Sequence, residues 1–283
     1  MKKGLCFCLS AMILSSAPGT LPAQDYDYHP ALSDRFYASF GAFRSNNAFK
    51  AKADNPGAGN SLPGDDVDFG NSLRVSEHST LFDLNLRWTF GKKKKWFLAG
   101  QYFSNDATGE TVLTEDIEWD GLTFREGTFV GAGIDLAVTR LFIGRSFIKN
   151  EQNDFGAGIG LHNLDLETFI EGEIKVDDET TDFQRGEVDA NQPLPNIGAW
   201  YLFSPAHKWL LHGRVDWISA NIGDYDGTLW NFNAGVSYQA WRHVGFDLSW
   251  QYFNLDFKVD KSDWRGGAKM TYSGPVLAVT ANW

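Results

Sequence analysis

The amino-acid sequence predicts an all-β fold, an antiparallel up-and-down β-barrel that crosses a membrane with about ten strands, eight or twelve being the alternatives. Apolar and polar residues alternate with period two in many segments, whereas no later segment is apolar for the ~18 residues that a membrane-spanning helix needs. Aromatic residues make up 15% of the chain, a content that suits a sheet with one face against lipid. Short and long connections also alternate along the chain.

The first 23 residues have the features of a cleaved secretory signal peptide. Lys2 and Lys3 precede an apolar stretch at about 4–17, which is too short to span a bilayer as a helix. A small residue, Ala23, stands before the predicted cleavage point. We therefore expect residues 24–283 to form a single barrel domain.

Cysteine content and charge exclude several function classes. Both cysteines, Cys6 and Cys8, lie in the predicted signal peptide, so we expect the exported chain to have no thiol, disulfide or cysteine metal site. The formal net charge is -11, and no basic stripe is present that could neutralise phosphates. These features argue against a nucleic-acid partner.

Ten segments show strand periodicity. A parity change of the apolar residues near Thr139 predicts a bulge or a misplaced strand boundary. The predicted strands lie at 36–42, 82–90, 96–104, 138–147, 155–163, 194–203, 209–217, 230–240, 244–252 and 277–283.

The connections between these strands alternate in length. Short turns on one side of the membrane and long loops on the other are typical of membrane barrels, and an even strand number puts both termini on the side of the turns. Asp120-Gly121 could close a hairpin that extends two strands beyond the membrane. Short connections fall at 91–95, 150–153, 204–207 and 242–243, and long ones at 45–77, 105–127, 171–192, 221–229 and 260–269.

Aromatic residues recur at matched heights on neighbouring strands. Trp209 and Trp217 share a parity and are eight residues apart, and Trp230 and Tyr238 repeat this spacing in reverse. At ~3.3 Å per residue and a tilt of about 40°, the spacing spans roughly 20 Å along the membrane normal. We expect these four side chains to face lipid in two girdles. A secreted β-sandwich also alternates, but a core has no reason to match aromatic heights in this way.

The last strand carries a short C-terminal motif. Leu277, Val279 and Ala281 share one face with Trp283, the final residue. This ending resembles that of outer-membrane β-barrel proteins, in which a terminal aromatic residue is read by the barrel assembly machinery. The resemblance implies a Gram-negative outer membrane, a periplasmic location for the short turns, and contact with outer-membrane lipid and lipopolysaccharide. A monomer is expected because every strand can pair within one chain.

Within that class the chain resembles the small OmpA/OmpX-type barrels. Segments 224–227, 252–255 and 263–266 are also similar to a family of proteobacterial barrels. These resemblances imply the fold and carry over no activity.

Charged and polar side chains on the second face of the strands are expected to point into the lumen and nearly fill it. An unpaired charge there would lower the free energy of unfolding by several kcal/mol, so charges of both signs should pair. We favour a structural polar core, and the alternative is a gated narrow pore or a proton-sensitive plug with His212 beside Arg214 and Asp216. The expected cluster comprises Asp83, Arg87, Arg140, His162, His212, Arg214, Asp216, Asp247 and Gln251.

The favoured function is a non-enzymatic barrel for envelope integrity, surface interaction or limited passage of small solutes. A second hypothesis is an enzyme acting on lipid A or peptides at the outer rim, where His78, His162, Asp224 and Asp226 could lie. A third is a narrow specific channel. No pair has a diagnostic spacing, so the sequence predicts no catalytic residue.

Two acidic turns are candidate cation sites. The segments 64–68 and 224–227 lack the full calcium-binding loop and its terminal Glu. Ordinary Asp/Gly turn chemistry is favoured over divalent-cation bridging to lipopolysaccharide phosphates. We therefore expect no metal site and no cofactor.

Overall fold

The computed structural model of the chain describes residues 28–54, 65–177, 180–222, 225–260 and 265–283. Inside the strands, the side chains at 175–177, 180–181, 192, 220–222, 225, 259–260 and 265 are not described. The predicted signal peptide at 1–23 and the acidic-turn residues Gly64 and Asp224 lie outside the described residues.

Ten long antiparallel strands close into a barrel, which confirms the predicted fold class. Each long strand pairs with the next along the chain, and the last pairs with the first. A 3-10 turn, Pro30–Leu32, precedes the barrel, and three short strands (β2, β5 and β6) lie in its long connections. The strands are β1 Phe36–Asp54, β2 Val67–Asp68, β3 His78–Phe90, β4 Trp96–Val112, β5 Ile117–Trp119, β6 Leu122–Phe124, β7 Phe129–Lys149, β8 Asn153–Asp177, β9 Thr180–Ala206, β10 Trp209–Ile222, β11 Tyr225–Gln239, β12 Val244–Asp260 and β13 Arg265–Asn282.

Among the described residues, no helix has the length and apolar character to cross a membrane.

The strands are longer than the sequence predicted. Most of the expected loop at 171–192 is paired strand, since β8 and β9 stay in register from Asn153 to Asp177 with one irregularity near Lys175. The expected loops at 221–229 and 260–269 are likewise mostly strand. The sequence suggested loops there because the outward-facing residues become polar, but the backbone of these segments stays paired.

The parity change near Thr139 has a different cause from the predicted bulge. Strand β7 keeps its register through Thr139, and its only irregularity with β8 lies between Ser146 and Ile148. Arg140 and Leu136 both point inward. The side chains keep their direction, and the lumen changes from polar to apolar at this height.

The predicted hairpin at Asp120-Gly121 exists, but it does not lengthen the neighbouring long strands. Both residues have positive φ, 51° and 77°, as a tight hairpin turn requires. The hairpin β5–β6 forms its own two-stranded sheet. It folds toward the barrel, where Trp119 and Phe124 are buried and the Asp120 N–H donates to the Ala53 carbonyl.

Candidate functional site

The turns β3–β4, β7–β8, β9–β10 and β11–β12 and both described termini lie at one end of the barrel, called here the turn end. The opposite ends of the strands form the loop end. Between these ends the lumen contains three layers: a turn-end plug, a polar layer and a loop-end core. The polar layer is the candidate site, and the other two layers determine what can reach it.

The turn-end plug is an apolar cluster that includes the segment before β1. The His29 N–H donates to Ser204 Oγ at 2.8 Å, and Arg87 donates to the Ala31 carbonyl at 2.6 Å. The Lys94 ammonium donates to the carbonyl of Ser33. These bonds hold the 3-10 turn across the mouth of the barrel. The plug consists of Ala31, Leu32, Phe97, Phe142, Trp200, Leu202 and Leu210.

A bidentate ion pair forms the centre of the polar layer. Arg140 donates through Nε and Nη2 to the two carboxylate oxygens of Asp216, both at 2.7 Å. The side chains are only 2% and 0% exposed. Two parallel charge-assisted bonds in this geometry offset the desolvation of both ions.

Neutral amides connect this ion pair to the other charges. Gln101 Oε1 accepts from Arg214 at 2.7 Å, and Gln101 Nε2 donates to Asp83 at 3.2 Å. Asn231 bonds His162 Nε2 at 3.0 Å and also contacts Gln251. The layer is therefore a hydrogen-bonded network of the kind that makes a buried polar core rigid.

The sequence-predicted cluster is largely brought together here. Asp83, Arg140, His162, His212, Arg214, Asp216, Asp247 and Gln251 line the lumen and lie within the network or beside it. Arg87 is the exception, because its guanidinium binds the turn-end plug and lies over the Tyr37 ring. Sequence reasoning did not select Gln101, Asn196 or Asn231, whose only signal was the polar parity of their strands.

His212, Ser237 and Asp247 are in contact, but their order is not that of a catalytic triad. His212 Nε2 and Ser237 Oγ both bond the same oxygen, Asp247 Oδ2, at 2.6 Å. The hydroxyl therefore donates to the carboxylate and not to the imidazole, which is the base that activates the serine of a triad. His212 also lies three residues from the turn-end start of β10, far from the loop-end rim.

Among the residues that the structure describes, the loop-end rim does not assemble the enzyme-like groups that the sequence suggested; Asp224 lies outside those residues. His162 was expected there, but it is fully buried in the polar layer between Asn196 and Asn231, which corrects that expectation. His78 does lie at the rim, and its side chain bonds no Ser or Asp among the described residues. Asp226 is exposed at the rim, opposite Lys258.

Above the polar layer the lumen is filled by an apolar core. Phe103 packs edge-on against Phe253 with ring centroids 5.5 Å apart. The segment after β2 and the hairpin β5–β6 contribute side chains from inside the barrel. The prediction that polar groups fill the whole lumen is thus wrong for this end, where the core includes Phe43, Phe69, Leu73, Trp119, Phe124, Leu136, Ile170, Leu229, Leu255, Met270 and Tyr272.

On four neighbouring strands, β4, β7, β8 and β9, the outer surface around this core is acidic. Asp106, Asp135, Glu167 and Asp189 are exposed and lie directly opposite one another across four neighbouring strands. Arg185 forms ion pairs with Glu167 and with two further glutamates nearby. Ligand atoms of Glu167, Glu187 and Asp189 lie within 4.8 Å of one another, but exposed carboxylates alone assign no metal.

Around the turn-end half the outer surface is apolar and aromatic. Trp209 lies opposite Tyr238 and Trp217 opposite Trp230, with ring centroids 4.9 and 6.0 Å apart, and all four side chains are exposed. The structure places the predicted girdle on the outside at two heights. Its contact with the membrane interfaces stays a prediction.

The C-terminal residues lie on the same outer surface. Leu277, Val279 and Trp283 are exposed, Ala281 is half-buried, and the Trp283 ring stacks on Phe36 with centroids 5.7 Å apart. Pairing of β13 with β1 closes the barrel beside them. Recognition of this motif by the assembly machinery stays a prediction.

Neither a protein-family model nor a curated protein matches the chain. Among solved structures, the outer membrane protease OmpT from Escherichia coli is 9% identical, with coverage of 94% of this chain and 100% of that one, at a TM-score of 0.50. The translocator domain of the autotransporter NalP from Neisseria meningitidis is 9% identical (88% and 89% coverage, TM-score 0.45). The protein Ail of Yersinia pestis is 10% identical (86% and 98% coverage, TM-score 0.27).

The similarity to the OmpT structure indicates the class to which the fold belongs. The chain has the fold of the outer-membrane β-barrels, closed by ten strands. Its exposed apolar belt is the surface that such a barrel presents to lipid, and the outer membrane is its location. At this level of identity the comparison extends to the fold and to no activity.

Proposed function

We propose that the protein is a non-enzymatic outer-membrane barrel with a closed lumen, which supports the envelope and carries a rigid acidic extension outside the cell for surface interaction. The observation that carries this proposal is the filling of the described lumen by three successive layers. In the proposed orientation of the barrel, the turn end faces the periplasm and the loop end faces the outside of the cell.

Each layer opposes the passage of ions for its own reason. The turn-end plug and the loop-end core are apolar, and moving an ion into either would leave it without solvation. In the polar layer, an ion would have to compete with the Arg140–Asp216 pair, whose disruption costs about 3–5 kcal/mol. Two of the cavities beside these layers, of about 140 and 170 Å³, are separate pockets with different linings.

The surface role is supported by the length and charge of β8 and β9. Seventeen residues of β9, at 180–196, extend beyond its last pair with β10. At ~3.3 Å per residue this is roughly 55 Å of strand. The outward carboxylates of this hairpin give it an acidic face, which favours a basic or cation-coated partner.

Planar-bilayer recording tests the closed lumen. The refolded full chain, with insertion verified by heat-modifiable gel migration, should show no discrete openings. A variant that lacks residues 28–33 should also stay silent, because the other five residues of the turn-end plug and the two further layers remain. A general porin in the same membrane is the positive control.

The two possible failures have different meanings. Openings in the full chain would contradict the closed lumen and favour the channel hypothesis. Openings only after removal of 28–33 would instead identify the turn-end plug as the gate of a narrow pore.

A further inference from the structure

We propose that a second cavity, inside the loop-end half between β9 and β11, binds a small neutral hydrocarbon molecule that enters sideways where β9 and β10 separate. This inference goes beyond the proposed function, because it concerns a lateral site and no passage along the barrel axis.

The barrel wall is interrupted at this place. The β9–β10 ladder ends at the pair Ile197 and Trp217, and the described residues above it, 180–196 and 218–222, do not pair across the gap. By contrast, β10 remains paired with β11 as far as Ile222. The split is therefore confined to one side of β10.

Two prolines explain why the ladder stops. Pro193 and Pro195 lie on β9 just above the last pair. Proline has no N–H to donate and is found in sheets essentially at edges and bulges. Continued pairing here would lose bonds, so the sequence itself favours an open edge.

Behind this edge lies a cavity of about 170 Å³. Its wall includes Leu164, Leu166, Leu194, Ile218, Leu229 and Leu255. An apolar protein cavity of about 150 Å³ stays dry and holds a benzene molecule, so the size suits a single aromatic ring or a short alkyl group.

The charges around the cavity select against ionic ligands. Its only charged lining residues, Asp226 and Lys258, are exposed at the rim and lie directly opposite each other. A carboxylate or ammonium head inside would find no buried counter-charge. The ligand class is therefore neutral.

The mouth lies at the outer edge of the apolar belt. It begins one residue above Trp217, which packs with Trp230 in the outer aromatic girdle. Aromatic girdles mark the boundary between hydrocarbon and head groups. A small apolar solute at the outer edge of the hydrocarbon layer is thus about one residue below the opening.

Fluorine NMR of fluorobenzene with the full-length barrel in lipid nanodiscs tests the site. The wild type should show saturable binding, and Leu229→Trp, which fills the cavity, should weaken it by about tenfold or more. Because that variant risks misfolding, Ala190→Phe, at the edge of the cavity, should give the same direction of change. Leu248→Trp on the lipid-facing surface is the matched control and should bind like the wild type.

Identical signals from all four proteins would mean that fluorobenzene partitions only into lipid, and would overturn the site. A copurified acyl chain filling the cavity in an experimental structure would overturn the assignment to a small solute.

The lateral route has its own test, in which the double variant Pro195→Cys, Ser219→Cys is cross-linked with a bis-maleimide. The two positions would lie opposite each other if the β9–β10 ladder continued. Cross-linking should slow ligand exchange by about tenfold, and an unchanged rate would exclude side entry.

Discussion

The two halves of this barrel are built from the same strands with opposite polarity. In the turn-end half of β7, Arg140 points inward and Leu141 faces outward, whereas in the loop-end half Leu136 points inward and Asp135 faces outward. The alternation of side chains across the strand is the same in both halves. The outer surface changes from apolar to polar along the strand, and the lumen changes from polar to apolar at the same height.

This inversion separates two sources of stability. In the loop-end half, apolar side chains leave water for a common core, as in a soluble protein. In the turn-end half the outer surface meets lipid, so the lumen can be polar if its groups satisfy one another. The polar layer lies where the first arrangement gives way to the second.

The largest expected effect comes from breaking the central ion pair. Arg140→Ala removes the bidentate partner of buried Asp216 and leaves it only Arg214, at 3.7 Å, which should lower the free energy of unfolding by about 3–5 kcal/mol. Urea unfolding from phospholipid vesicles measures this. Lys269→Ala, which removes an exposed ion pair with Asp256, should leave the midpoint unchanged, and equal losses in both variants would refute the contrast.

A charge placed on the outer surface tests the inversion from outside. Leu248→Arg puts a cation on the lipid-facing belt and should cost about 2–4 kcal/mol. Asn191→Arg puts the same charge on the exposed loop-end surface, opposite Asp165, and should cost nothing measurable. Comparable destabilisation by both substitutions, in the same vesicle assay, would show that the belt has been misplaced.

Removal of one methyl group gives a smaller contrast. Ile134 is buried in the loop-end core, so Ile134→Val should cost about 0.5–1.5 kcal/mol. Ile143, on the same strand, faces outward in the lipid belt. Lipid can fill the space that Ile143→Val leaves, and this variant should unfold closer to the wild type. The reverse ranking of the two unfolding midpoints would contradict an apolar core at the loop end.

The smallest effect concerns a loop outside the spanning segments. The Glu126 backbone N–H, at 2.7 Å, and then Arg125 lower the pKa of Asp116 below its usual 3.8. Because the folded pKa is depressed, the stabilisation is present above pH 3.8 and lost as pH falls through the folded value. The Glu126 amide resonance should titrate below pH 3.8 in the wild type and not at all in Asp116→Asn. A midpoint at or above 3.8 would exclude this arrangement.

The sequence predicted the turn-end half well because lipid imposes a simple rule on it. Period-two alternation and the spacing of Trp209 and Trp217 were sufficient to place the strands and the outward face. Seven ionisable residues of the polar layer were predicted because a buried charge needs a partner, which draws attention to Asp, Arg and His. Neutral amides such as Gln101 and Asn231 have no such requirement and resemble any polar residue of a strand.

The loop-end half was predicted less well because the same rule was extended where it fails. The parity change near Thr139 was interpreted as a bulge or a misplaced strand boundary, although it marks the height at which the lumen changes from polar to apolar. The core there also depends on Phe69, Trp119 and other residues of the long connections. Tertiary packing determines which connection folds into the lumen, and the sequence of such a connection shows no periodic pattern.

Spin-label accessibility on the outer surface tests the inversion most directly. Nitroxides at Ile159 and Leu248, both in the apolar belt, should collide with oxygen and be shielded from a water-soluble nickel complex. Labels at Glu167 and Asn191, on the acidic loop-end surface, should show the opposite preference. The same preference at all four positions would contradict a barrel with two outer surfaces of opposite polarity.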